Sequence, residues 1–136
     1  MLMKSFDMGT AHVEIYDTRA AMGAKAGRDA AETLRRLLGT KDELNVMFAA
    51  APSQNEVLAA LLTYSDIDWT RVNAFHMDEY IGLSESAPQR FGNYLREHIF
   101  DRAPFGRVFY IDSGAADIVA AVSAALVFAL IICLRK

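Results

Sequence analysis

Cysteine is all but missing from this chain: Cys133 is the only one in 136 residues. A single thiol excludes a disulfide framework and a cysteine-based metal site. Excess basic charge is missing too. Fourteen Lys and Arg stand against seventeen Asp and Glu, for a net charge of −3. Arg35-Arg36 is the one adjacent basic pair before the last two residues, so no nucleic-acid-binding surface is indicated. The N-terminus lacks the apolar run of a secretion signal, because Lys4, Asp7 and Glu14 interrupt it. Internal repeats and low-complexity linkers are absent. What remains is globular composition, 53% hydrophobic and 23% charged, in a length that suits one domain. A protein of the reducing cytoplasm is the expectation.

The chain alternates strand-like and helix-like segments. His12 to Tyr16 sets Val13 and Ile15 against Glu14 and reads as a short strand. Asp17-Thr18 offers an N-cap for a long helix, with Ala21, Met22, Ala26, Ala30, Thr33, Leu34, Leu37 and Leu38 near helical spacing and Gly39 at its end. Leu44 to Ala50 is a nearly continuous apolar run, as in a parallel strand covered on both sides. A helix is predicted from Ser53 through Leu62, a third strand over Arg71–Phe75, a further helix over Pro88–Arg102 and a last strand over Val108–Ile111. This order predicts an α/β fold with a doubly wound, mostly parallel sheet.

In open parallel sheets, ligands bind beyond the carboxyl ends of the strands, and two such ends stand out. The first is Ala49-Ala50-Ala51-Pro52-Ser53-Gln54-Asn55-Glu56, which passes straight from strand to helix. Free amides at a helix start favour an anion such as phosphate, and Ser53 and Asn55 could add side-chain donors. Ser53 and Glu56 are equally spaced as a capping box, which needs no ligand. The turn has no glycine, so it is neither a P-loop nor a dinucleotide fingerprint. The second end is His76-Met77-Asp78-Glu79-Tyr80-Ile81-Gly82-Leu83. Two carboxylates just past a buried strand must be exposed, paired or used. An extended backbone sends Asp78 and Glu79 to opposite sides, so one can face a cleft while the other anchors the loop. A cleft carboxylate can act as a general base beside a carbonyl. A solvated turn bending at Gly82 is the plainer alternative. His76 reads as structural, since no partner stands at metal-ligand spacing.

The segment Phe75-His76-Met77-Asp78-Glu79-Tyr80-Ile81-Gly82-Leu83 resembles the signature of the glucosamine-6-phosphate deaminase (isomerase) family, whose fold is shared by 6-phosphogluconolactonase. Pro88-Gln89-Arg90-Phe91-Gly92-Asn93-Tyr94-Leu95 resembles the helix start that follows in that family, and the likeness runs from about Val13 to Ile111. The resemblance implies isomerisation of glucosamine 6-phosphate to fructose 6-phosphate with release of ammonia; the alternatives are a 6-phosphogluconolactonase-like hydrolase and a non-catalytic sugar-phosphate-binding or membrane-tethered remnant. It makes Asp78 the general base between C1 and C2, with Glu79 beside it in the catalytic segment and supporting its loop. Ala51, Ser53, Gln54 and Tyr80 fall at the substrate. No metal or organic cofactor is implied, since the substrate's own carbonyl is the electron sink. The partner implied is a sugar phosphate, and a homo-oligomer is compatible with the family. The turn reads Ala-Pro-Ser-Gln where the family commonly has Thr-Gly-Ser-Thr-Pro, and no Asp-Gly-His-type segment follows Asp78. In the family that later part carries the groups that open the sugar ring.

The sequence therefore divides into 1–112, the N-terminal part of a sugar-phosphate isomerase domain, and 113–136, an apolar tail. From Ile118 to Leu134 seventeen residues carry no charge, and Arg135-Lys136 follows. That length is at the lower limit for spanning a bilayer. The tail reads as a frame-altered end, as an apolar helix buried or bound to a partner, or as a membrane anchor through 118–134.

Overall fold

The computed structural model describes residues 1–112, 114–117 and 119–120. The chain opens with a hairpin of β1 (Leu2–Met8) and β2 (Ala11–Tyr16), antiparallel and forming a two-stranded sheet of its own. Gly9 at φ +62° is the first of the two linking residues, where a primed hairpin turn needs positive φ. The expected strand at His12–Tyr16 is thus real, but it pairs with the unanticipated β1 and not with the parallel sheet.

Helix α1 (Arg19–Leu38) starts at Thr18, whose Oγ1 accepts the Ala21 amide N–H at 3.1 Å. Its buried stripe is Gly23, Gly27, Ala31, Leu34 and Leu38. The two glycines let α2 (Asn55–Leu61) lie directly against it. A Cβ at Gly23 would stand 2.3 Å from the Glu56 Cβ, and one at Gly27 would stand 2.7 Å from the Ala60 Cβ. This contact turns the helix relative to the expected face, leaving Met22 and Thr33 exposed.

Three parallel strands follow in the order β3 (Leu44–Phe48), β4 (Val72–His76) and β5 (Arg107–Phe109). Every residue of β4 is buried. Val72 and Ala74 join Leu44, Phe48, Leu58, Leu95, Ile99 and Phe100 in the core beneath the helices. Asn73 and Phe75 alternate onto the other face. There Asn73 is satisfied by Asn45, Glu43 and Arg107, and Phe75 stacks on Phe109 at 4.5 Å. Helix α3 (Phe91–Leu95) continues as a π turn over Arg96–Phe100, and Leu95, Ile99 and Phe100 seal the core. The expected start at Pro88 falls in a turn instead. The strands run one way across the sheet, so the order reversal of a doubly wound fold does not occur among the described residues. No helix among them is long and apolar enough to cross a membrane. The apolar segment 118–134 lies outside the described residues apart from Val119 and Ala120.

Candidate functional site

Phe48 and His76 end β3 and β4 in register, and the Met77 amide N–H still reaches the Phe48 carbonyl at 3.1 Å. Beyond this pair the two segments singled out in the sequence leave the sheet side by side. The adjacent carboxylates then part company. Asp78 is exposed, while the Glu79 side chain is fully buried.

Glu79 caps the start of α3 from a distance in sequence. One oxygen accepts the amides of Tyr80 at 2.9 Å and Phe91 at 3.0 Å; the other accepts Gly92 at 2.9 Å and the Arg90 Nε at 3.3 Å. Burial pushes this carboxyl upward, but the backbone amides of Gly92, Tyr80 and Phe91 outweigh it and hold Glu79 below its ordinary range. Gly92 fits closely here: a Cβ would sit 3.2 Å from the Glu79 Oε2 and 3.3 Å from the Tyr110 ring, so either side chain would have to shift by a few tenths of an ångström. Tyr80 packs its ring on Phe91 at 4.6 Å, and Gly82 at φ +83° turns the loop. The Asp78 loop and the helix start are one unit.

His76 lies under this unit, 3% exposed. Its Nδ1 accepts the Ile111 amide N–H at 3.4 Å, so the neutral ring carries its proton on Nε2. That nitrogen has no hydrogen-bond partner among the described residues, and the Glu79 oxygen 3.9 Å away is too far to be one. Burial lowers the pKa of His76 despite the Glu79 and Asp78 carboxylates, so the pair is a neutral imidazole beside an anion and not a salt bridge.

The other segment differs from its expected form. Pro52–Gln54 is a 3₁₀ turn, in which the Gln54 amide bonds to the Ala51 carbonyl and the Asn55 amide to the Pro52 carbonyl. Those amides are not available to an anion. The capping box does not form either. Glu56 instead takes a bidentate contact from Arg19, at 2.9 and 2.7 Å, and Arg19 also donates to the Pro52 carbonyl at 3.0 Å. A fork-shaped guanidinium outcompetes a single amide for a carboxylate. The Ser53 hydroxyl makes no hydrogen bond among the described residues, and neither does the Gln54 side chain. The sequence reading did not single out Tyr94, whose hydroxyl lies 2.7 Å from the Ala51 carbonyl oxygen and 2.5 Å from the Asn55 Oδ1.

A cavity of about 300 Å³ adjoins Glu79, which lines it together with Arg90, Asn93, Arg96, Tyr110 and Asp112 among others. Neither Asp78 nor the 51–54 turn lines it. On the hairpin, Ser5, His12 and Asp7 stand in the order of a hydroxyl–imidazole–carboxylate relay, at 3.1 and 2.7 Å. With His12 60% and Asp7 76% exposed, they are solvated cross-strand pairs without the water-excluded setting of a nucleophile site. Among the described residues no cluster of three or more His, Cys, Asp or Glu could hold a metal ion.

An open α/β sheet with two loops at its carboxyl edge defines a class, and solved structures specify it. A monomeric glucosamine-6-phosphate deaminase of the NagB superfamily superposes with a TM-score of 0.72 at 20% identity, over 85% of this chain and 49% of that one. The 6-phosphogluconolactonase of Thermotoga maritima does so at 0.68 and 22% identity, over 82% of this chain and 49% of its own. The fold is the one these enzymes share. In sequence the chain is similar to glucosamine-6-phosphate deaminases. That of Enterococcus faecalis is 31% identical over 103 residues, 76% of this chain and 43% of the relative. That of Listeria welshimeri is 35% identical over 78 residues, 57% of this chain and 33% of the relative. No protein-family model matches the chain. It spans less than half the length of these relatives.

Proposed function

We propose that this chain carries the proton-transfer part of a glucosamine-6-phosphate deaminase site, with Asp78 as the base that moves a proton between C1 and C2 of the opened sugar. The observation that supports it best is the division of labour in Asp78-Glu79. Glu79 is buried in capping α3, which leaves Asp78 exposed at the end of β4 beside the turn that follows β3. The carboxylate needs no metal for this step, because the enolamine that forms, with its oxygen on C1 and its nitrogen on C2, is stabilised by the substrate's own C1 oxygen. Ser53 and Gln54, whose side chains are not engaged in the fold, are the groups offered to the sugar phosphate, with Tyr80 at the loop. The three-stranded sheet is read as part of a larger doubly wound, Rossmann-like sheet. The cytoplasmic setting expected from the sequence suits such an enzyme.

The test is ammonia release from glucosamine 6-phosphate by the 136-residue chain, together with uptake of solvent deuterium at C1 of fructose 6-phosphate, which needs no ring-opening of an amino sugar pyranose. Asp78→Asn is expected to lower exchange by about 10²-fold or more, the usual contribution of a general base. Measurable exchange at the same rate by the two proteins would remove Asp78 from the role. Lactone hydrolysis is the second reading, favoured by the fold of the Thermotoga protein. Hydrolysis of 6-phosphogluconolactone without deuterium exchange would select it.

A further inference from the structure

Tyr94 presents a hydrogen-bond problem with one solution. Its hydroxyl has a single proton but faces two oxygens, the Ala51 carbonyl at 2.7 Å and the Asn55 Oδ1 at 2.5 Å. A carbonyl can only accept, so the proton goes to Ala51. The Asn55 amide must then turn to place its NH₂ on the phenol oxygen. In that arrangement the hydroxyl donates to one end of the 51–55 turn and accepts from the other. Burial, and secondarily the Glu56 carboxylate, raise the pKa of the phenol, which keeps its proton in place. His98 stacks on the ring at 4.1 Å and bonds to the Tyr94 carbonyl at 2.8 Å through Nδ1, so the ring cannot swing away freely.

One turn earlier on the same helix, Phe91 and Gly92 are held by Glu79. Helix α3 is therefore fastened at one point to the Asp78 loop and at the next to the 51–55 turn. No described hydrogen bond joins the loop and the turn directly. We propose that Tyr94 is a positioning residue that sets the spacing between the Ala51–Gln54 turn and Asp78, so that an open-chain sugar phosphate resting on both is held with its reacting carbons at the carboxylate. This rests on the deaminase reading above. It adds a residue that touches neither the phosphate nor the reacting carbons.

The spacing role has a distinctive signature. Glucosamine 6-phosphate spans turn and loop, whereas inorganic phosphate engages the turn alone. Titrations of both into the unsubstituted chain and Tyr94→Phe, by calorimetry, separate spacing from general damage. Tyr94→Phe is expected to weaken glucosamine 6-phosphate about tenfold, from the two hydrogen bonds lost. Inorganic phosphate should weaken by about twofold or less. Equal weakening of both ligands, or none of either, would overturn the positioning role while leaving the deaminase reading standing. If the unsubstituted chain binds neither ligand, the deaminase reading falls and the inference with it. Should Tyr94→Phe fail to fold by circular dichroism, Asn55→Ala removes the second hydrogen bond from the turn's side and must show the same selective loss.

Discussion

At the scale of single residues, Glu79 and His76 decide how the site responds to acid. Glu79 is held below its ordinary value of 4.5, so its contribution to stability is complete above that value and is lost as pH falls through the lower folded one. His76 is held below its ordinary value of 6.5 by burial, so the unfolded chain takes up a proton first as pH drops below 6.5. Both effects make stability rise with pH between about 4 and 6.5. Urea unfolding at stepped pH should show this rise. Glu79→Gln should flatten its lower part and His76→Asn its upper part. At neutral pH Glu79→Gln should also cost about 1–3 kcal/mol, because its NH₂ would face amide donors in a buried place. Asp78 was legible in the sequence as one of an unlike pair, since alternation alone separates neighbouring side chains. The identity of the capped helix was not legible, because Phe91 and Gly92 lie more than ten residues away and only the fold brings them back to Glu79.

At the scale of elements, α1 and α2 are held by a small-residue seam. Gly27→Leu should destabilise the chain by about 1–3 kcal/mol, as overpacking does, read as a lower thermal midpoint. Its effect should reach the site, because α2 carries Glu56 and Asn55 at its first turn. Arg19 and Glu56 are the outer brace, and with Arg19 60% exposed its replacement should lower the thermal midpoint far less than Gly27→Leu does. The sequence pattern revealed α1 by its helical spacing and β3 by a nearly continuous apolar run, and it placed β4 over Arg71–Phe75. It missed β1, in which Lys4 and Asp7 are poor strand formers and the whole strand is exposed. It also took Ser53–Leu62 as one helix, where Pro52 and the pull of Arg19 on Glu56 give a 3₁₀ turn first.

At the scale of the whole molecule, the core gathers under one face of the sheet, with Leu95 and Ile99 fully buried at its centre. Leu95→Ala should cost about 2–5 kcal/mol in urea unfolding. It should also loosen α3, and with it both fastenings of the site. Binding of glucosamine 6-phosphate should raise the thermal midpoint in proportion to the logarithm of ligand concentration. The parallel α/β class was readable from element order alone. The separate hairpin was not, because pairing between β1 and β2 depends on a partner strand whose own residues give no strand signal.

The two neighbouring acids also have an unequal need for length. Position 79 requires reach: Asp there would keep the charge but end about 1.5 Å short, one carbon–carbon bond. It could not meet amides that Glu79 holds at 2.9 and 3.0 Å. Position 78 has no such arm's-length demand from the protein. Exchanging the two, as Asp78→Glu with Glu79→Asp, conserves every charge yet should unfasten α3. The order of the dipeptide, as much as its acidity, is what this loop is built around.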